Sequence, residues 1–291
     1  MLRVETLTIE EWKERSASLS LLEDAITESE AEHHYVRSSL NTYDTYSIGM
    51  LNILDVLQIY GKRDRAAFYF TSELVLFVVL ADEDNSIKHC VEQVLQKSHL
   101  ETDRPGDVIC GFINQLIKED YRHLLDLEFA INDMEEEIHK SHVERAGIQN
   151  ILSMKKKLII LRNYYEQLED LCVELLENKN QLLSQKELEG IKVLQEKLER
   201  YSAHTQILRE NVVQVKEAYT TTLDYNLNTT MKLFTVVTTV FLPLTLIVGW
   251  YGMNFAYMPE LTWKYGYIFV MILSVSVVIA CFWFFKRKHL L

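Results

Sequence analysis

Between residues 228 and 254 a single three-four spacing picks out Asn228, Met231, Thr235, Thr238, Leu242, Thr245, Gly249 and Gly252, and Asn254 follows directly. On a helix this spacing forms one stripe. It is narrow, carries hydroxyls, and holds no Asp, Glu, Lys or Arg between Lys232 and Asn254. Neutral amide and hydroxyl oxygens can hydrogen-bond to the waters around a divalent cation without removing them. Magnesium in particular gives up its waters reluctantly. With no carboxylate in the path, such an ion is held weakly enough to leave, which conduction requires. Leu242 and Met231 would then be apolar constrictions and gates. A Thr/Gly stripe also fits close packing between membrane helices, its hydroxyls bonded back to their own backbone. Asn254, beyond a glycine at the outer end of the helix, favours a lining.

Two apolar stretches must position that stripe. Leu233 to Tyr251 and Tyr265 to Phe285 are each long enough to cross a bilayer, joined by a short glycine-containing loop. One hairpin cannot enclose water, because its faces seal only against neighbours. A symmetric oligomer can, by bringing several copies of the first span around an axis to give rings of Asn254, Thr245, Leu242 and Asn228. Lys286, Arg287 and Lys288 follow the second span, which by the positive-inside rule places both termini in the cytoplasm and the loop outside. The first residues show no apolar signal-peptide core. A cytoplasmic membrane location is expected.

The net charge of −12 is unevenly spread: residues 1–230 carry 25 basic and 41 acidic side chains, and residues 231–291 carry five basic and one acidic. The long acidic part repels nucleic acid and anionic headgroups and attracts cations. Its first 100 residues mix strand and helix signals. A strand is expected over Tyr46 to Leu54, a turn over Gly61 to Arg65, and buried strands over Ala67 to Thr71 and Leu74 to Leu80. Asp82 to Asn85 ends the last strand and opens a helix reaching about Lys97. After a break at Arg104-Pro105-Gly106 the pattern is helical: Asp107 to His139 as one helix, Ile148 to Leu176 as a second, and Leu188 onward as a third that runs into the first span. In that third helix Ile191, Leu194, Leu198, Tyr201, Thr205, Leu208, Val212, Val215, Tyr219 and Thr222 form a bundle seam. The seam does not run in register into the membrane stripe, so a change in winding is expected near Tyr225 to Asn228. Expected divisions are 1–104 (α/β), 105–232 (helices and stalk), 233–251 (first span), 252–264 (loop), 265–285 (second span) and 286–291 (basic tail).

Phe241-Leu242-Pro243-Leu244-Thr245-Leu246-Ile247, then Tyr251-Gly252-Met253-Asn254-Phe255, Met258-Pro259-Glu260-Leu261 and Trp263-Lys264-Tyr265-Gly266-Tyr267, resembles the CorA family of magnesium and cobalt transporters. A bare Gly-Met-Asn recurs by chance; the whole block between two C-terminal spans and after a long helix is specific. The resemblance implies a funnel-shaped homopentamer with an α+β cytoplasmic domain, long stalk helices and a pore formed by the first membrane helix. It makes Gly252-Met253-Asn254 the outer pore mouth. Asn228, Met231, Leu242 and Thr245 match pore-lining positions, Glu260 a loop glutamate that gathers cations, and Lys286, Arg287 and Lys288 a basic tail at the cytoplasmic mouth. Where many relatives carry an acid after the motif's Phe, this chain has Ala256, which weakens the field at the entrance. Retention of Met253 favours magnesium over zinc.

The resemblance further implies that cytoplasmic magnesium gates the channel at carboxylates between subunits. Asp82, Glu83 and Asp84 are the local candidates for that regulatory metal, although a solvated helix N-terminus favoured by the helix dipole is the simpler reading of three acids there. His33-His34 lacks further ligands at a metal spacing, and Glu135 to Glu137 reads as a solvated face. Cys90, Cys110, Cys172 and Cys281 show no CxxC spacing and read as reduced thiols. No cofactor is expected; the divalent cation is the substrate and a possible regulator. Channel-like influx of hydrated magnesium, with cobalt or nickel also passing, is the expected function. A non-conducting membrane tether on the same fold, or a zinc-preferring relative, is the alternative. No nucleophile–base pair, phosphate-cradling glycine loop or zinc spacing supports an enzyme.

Overall fold

The computed structural model describes residues 2–12, 14, 37–97, 104–140, 145–253, 258 and 263–287. They divide into two compact units, 1–216 and 217–291. The first holds a five-stranded sheet of β1 (Arg3–Thr8), β2 (Ser39–Thr42), β3 (Ser47–Ile53), β4 (Asp64–Phe70) and β5 (Leu74–Ala81), in the order β1-β5-β4-β3-β2. β1 runs parallel to β5 and every other pair is antiparallel. The helices are α1 (Ser86–Lys97), α2 (Pro105–Leu116), α3 (Asp120–His139), α4 (Arg145–Glu177), α5 (Gln185–Tyr251) and α6 (Gly266–Arg287).

Alternation along β4 and β5 sends side chains to both faces, and both faces are buried, so these strands read as continuous apolar runs. On one face Tyr46, Ile48, Ala67, Tyr69, Leu76 and Val78 pack with Leu7 and Trp12. On the other, Phe77 meets Phe112 of α2 with ring centroids 4.7 Å apart. Gly49 is fixed by its cross-strand partner: the Phe68 ring lies across it, and an added Cβ would sit 2.0 Å from that ring. The β2 edge, a liability if left open, is met by side chains of α4. The Ser38 amide donates to Gln167 Oε1 at 3.2 Å, and the Leu40 amide donates to Glu174 Oε2 at 2.7 Å.

The strands expected in the middle of the α/β region are present within a few residues, and α1 starts after the acidic turn as expected. The single helix expected over Asp107 to His139 is instead two, α2 and α3, separated by a turn at 117–119 where Ile117 leaves helical geometry and is fully buried. Neither Gly nor Pro marks this elbow. Pro105 does not interrupt the chain but begins α2, where its missing N–H costs nothing. The expected bundle seam on α5 is buried from Ile191 through Tyr219. No change in winding occurs near Tyr225 to Asn228: α5 is continuous α-helix for 67 residues, and the two stripes simply lie on different faces. The four cysteines are free thiols.

Among the described residues two helices are long and apolar enough to cross a membrane: α5, whose C-terminal part lies in the second unit, and α6. Pro243 removes the backbone donor that would reach the Thr239 carbonyl. The Cys281 thiol of α6 turns toward that carbonyl at 3.9 Å, a weak donor in place of the missing one.

Candidate functional site

The partly buried residues of α5 in this stretch are Val236, Val240, Pro243, Leu244, Ile247 and Tyr251, while Asn228, Met231, Thr235, Thr238, Leu242, Thr245 and Gly249 are exposed. At about 100° per residue the two sets fall on opposite sides of the helix. The stripe therefore lies opposite the partly buried side, and Leu242 and Met231 stand 67% and 65% exposed upon it. An open groove follows this side past Thr238, Phe241, Leu242, Thr245 and Gly249.

The threonines are oriented by their own backbone. Thr235 Oγ1 donates to the Met231 carbonyl, Thr238 Oγ1 to Phe234 and Thr245 Oγ1 to Phe241, each at 2.8 Å. With its proton committed inward, each hydroxyl presents lone pairs outward. The stripe is thus a ladder of neutral acceptors, suited to receive hydrogen bonds from the waters of a cation. At its end the Gly252 amide donates to the Val248 carbonyl at 2.9 Å, and a Cβ on Gly252 would lie 2.9 Å from that same oxygen. Met253 is 42% exposed. Asn254 and Glu260 lie outside the described residues, as do Ala256, Lys288 and His33-His34. Lys286 and Arg287 close α6, with the Arg287 guanidinium over the Trp283 ring at 5.4 Å.

Of the three acids singled out before α1, the structure brings Asp82 and Asp84 together and turns Glu83 away to an ion pair with Lys62. Asp64, from the start of β4, takes the third place: one carboxylate oxygen from each of Asp64, Asp82 and Asp84 lies within 4.8 Å of the others. Asp64 could not be found by looking along the acidic run, because strand pairing brings it there. The cluster also caps α1. Asp82 Oδ1 and Oδ2 accept from the Ser86 and Ile87 amides at 3.1 Å, and the Ser86 hydroxyl donates to Asp64 Oδ2 at 3.0 Å. The Ser86 amide holds Asp84 below the usual carboxylate range, whereas burial, and then the neighbouring acids, push Asp64 up.

The profile of the CorA-like Mg2+ transporter protein family matches residues 3–287. The chain belongs to that family. Among CorA relatives, the putative metal ion transporter YfjQ of Bacillus subtilis is 26% identical over 88% of this chain and 79% of its own length. The cobalt/magnesium transport protein CorA of Thermotoga maritima is 30% identical over 64% of this chain, which spans 53% of that relative. The magnesium transport protein CorA of Escherichia coli is 35% identical over 35% of this chain and 33% of its own. In three dimensions the chain is similar to the complete CorA magnesium transporter of Methanocaldococcus jannaschii, with a TM-score of 0.80 at 19% identity over 96% of this chain and 87% of that one. It also resembles full-length CmaX, with a TM-score of 0.70 at 18% identity over 94% and 85%. The CorA fold, a soluble α/β part followed by a long helix and two C-terminal apolar helices, is therefore that of this chain. CorA proteins are transporters rather than enzymes.

Proposed function

We propose that this chain assembles as a homopentamer in the cytoplasmic membrane and conducts hydrated magnesium into the cell, with cobalt or nickel as further substrates. The observation that carries this reading is the face of α5 opposite its partly buried side: a ladder of back-bonded threonines between apolar residues, free of charge and uncovered among the described residues. Around a symmetry axis these become rings of acceptors at Thr245 and Asn228, constrictions at Leu242 and Met231, and an outer ring of Asn254 amides behind Gly252 and Met253. Glu260 gathers cations at the outer mouth, and Lys286, Arg287 and Lys288 lie at the cytoplasmic end with both termini. The names of the relatives, which join magnesium with cobalt, support the choice of ion.

Asp82 and Asp84, joined by Asp64 in place of Glu83, are the carboxylates through which cytoplasmic magnesium would hold the channel shut. Hard oxygen ligands suit that ion. Substitution Asn254→Ala tests the conduction reading. In proteoliposomes it is expected to abolish magnesium uptake reported by an enclosed dye while the oligomer survives. Uptake at the wild-type rate would refute the role of the amide ring.

A further inference from the structure

Among the described residues two buried side-chain atoms have no hydrogen-bond partner, Asp120 Oδ2 and the Tyr165 hydroxyl oxygen. They belong together. Asp120 is the first residue of α3, directly after the elbow at 117–119, and is 3% exposed; Tyr165, on α4, is fully buried. The two groups lie close enough to act on each other as a weak hydrogen-bonding pair, Tyr165 lowering Asp120 and Asp120 raising Tyr165, but their atoms do not meet at good hydrogen-bond geometry. Their surroundings are aromatic. Tyr165 packs against Tyr164 and edge-on against Tyr201 of α5, each with centroids 5.5 Å apart. The other charged or titratable groups facing Asp120 are Asp55 beyond β3, Tyr164, hydrogen-bonded to the backbone of Leu54, and Tyr201 and Lys197 of α5. Lys197 is the cation at hand, and it is engaged elsewhere: its ammonium donates to Asn114 Oδ1 of α2 at 3.2 Å and lies over the Tyr201 ring at 5.7 Å. Cys110 and Arg200 are the further groups around it.

We propose that Asp120 is a proton-binding site whose charge state decides whether Lys197 holds α2 or α3, and so sets how the elbow at 117–119 packs on α4 and α5. A neutral carboxyl needs one donor and one acceptor. Its O–H donates to the Tyr165 oxygen, so one proton satisfies both orphaned atoms and leaves Lys197 on Asn114. An ionised carboxylate accepts only. Buried with a single phenol as donor, it draws the Lys197 ammonium across the elbow, because leaving a buried carboxylate charge unpaired costs more than giving up the ammonium's bond to one neutral amide oxygen. Asn114 is then left with its bond to the Cys110 carbonyl. The device is independent of whether the second unit conducts ions.

The test uses the full-length protein in detergent. Infrared difference spectra should show a protonated carboxyl band that disappears with a midpoint near pH 7, since burial pushes Asp120 up to about 7, and Asp120→Asn should lack it. Lys197→Met, which removes the compensating charge, should move the midpoint up by about one pH unit. Hydrogen exchange at residues 117–119, corrected for intrinsic rate, should differ at least about threefold between pH 6 and pH 8 in the wild type and be flat in Asp120→Asn. If Asp120→Asn does not fold, the wild type and Lys197→Met decide alone. A wild-type band that does not titrate between about pH 6 and pH 8 overturns the proposal. So does an elbow whose corrected exchange is the same at both pH values, or an unmoved midpoint in Lys197→Met.

Discussion

Gly249 and Gly252 stand three residues apart on α5 and are glycines for opposite reasons. A Cβ on Gly252 would press on the Val248 carbonyl at 2.9 Å, the same oxygen that accepts the Gly252 amide and closes the helix. A Cβ on Gly249 would meet nothing within 4 Å among the described residues. On the proposed assembly this glycine keeps the path wide or lets a neighbouring copy approach. Gly249→Ala should leave thermal unfolding of the purified protein unchanged or raised, since alanine gains up to about 1 kcal/mol in a helix, yet cut magnesium uptake at least several-fold. Gly252→Ala should lose uptake together with the last helical hydrogen bond, seen as faster amide exchange at residue 252. Asp120 adds a pH dependence. A carboxyl raised in the folded state holds a proton that the unfolded chain has released, so stability is greatest below the unfolded value near 3.9 and is lost as pH rises toward about 7. About three units correspond to roughly 4 kcal/mol. Asp64, also raised, acts in the same direction. Lys197, lowered by burial, acts in the opposite direction, its cost easing as pH rises. Melting of the wild type should therefore move to lower temperature between about pH 5 and pH 8, and Asp120→Asn should lose most of that slope. Of these residues the glycines of the stripe were legible from a local motif. Asp120 was not, since Glu119-Asp120-Tyr121 falls inside the single helix expected over Asp107 to His139, and only tertiary packing makes it a buried helix start.

At the scale of elements, what could be read was what local spacing determines. The α5 seam was legible because each turn repeats the same demand, and β4 and β5 because burial on both faces makes them apolar without interruption. β1 and β2 were not. Arg3–Thr8 and Ser39–Thr42 are short and largely polar, and they are strands because partners distant in sequence accept their backbone. The elbow between α2 and α3 was missed for the same reason, because buried Ile117 and Asp120 fix it by tertiary contact. One non-local device joins helix starts. At the start of α5 the Glu187 carboxylate reaches back to Ser184, whose amide donates to Glu187 Oε2 at 2.7 Å and whose hydroxyl donates to the same oxygen. The other oxygen of this 3% exposed carboxylate accepts the Gly106 amide at 2.8 Å in the first turn of α2. A side chain on residue 106 would collide with Glu187, which explains the glycine. Glu187→Ala removes two caps at once and should cost about 2–4 kcal/mol. Glu187→Gln should also cost stability, because an amide nitrogen must face one of the two N–H donors. Thermal denaturation of the purified protein measures both.

At the scale of the whole molecule, the second unit exposes more apolar surface than a soluble protein tolerates. Phe234, Phe241, Leu242, Leu246, Trp250, Ile272, Ile279 and Trp283 are all half or more exposed. A membrane satisfies most of it but not the threonine stripe, because acceptor lone pairs facing lipid gain nothing that a leucine would not. On the proposed assembly, water and neighbouring copies cover that face. The two sides of α5 therefore predict different chemistry for an introduced thiol. With Cys281 replaced by Ala, Thr238→Cys and Thr245→Cys, which the proposed assembly would turn toward its axis, should give intersubunit disulfides on mild oxidation in native membranes. Val240→Cys, on the partly buried side, should give none. Magnesium uptake in Thr245→Cys should fall on oxidation and return on reduction, because the bond narrows the path that ions use. Equal cross-linking from both sides of the helix would mean that the stripe does not face an axis. The neutral ladder would then be packing between neighbours, and the ion would have to travel elsewhere.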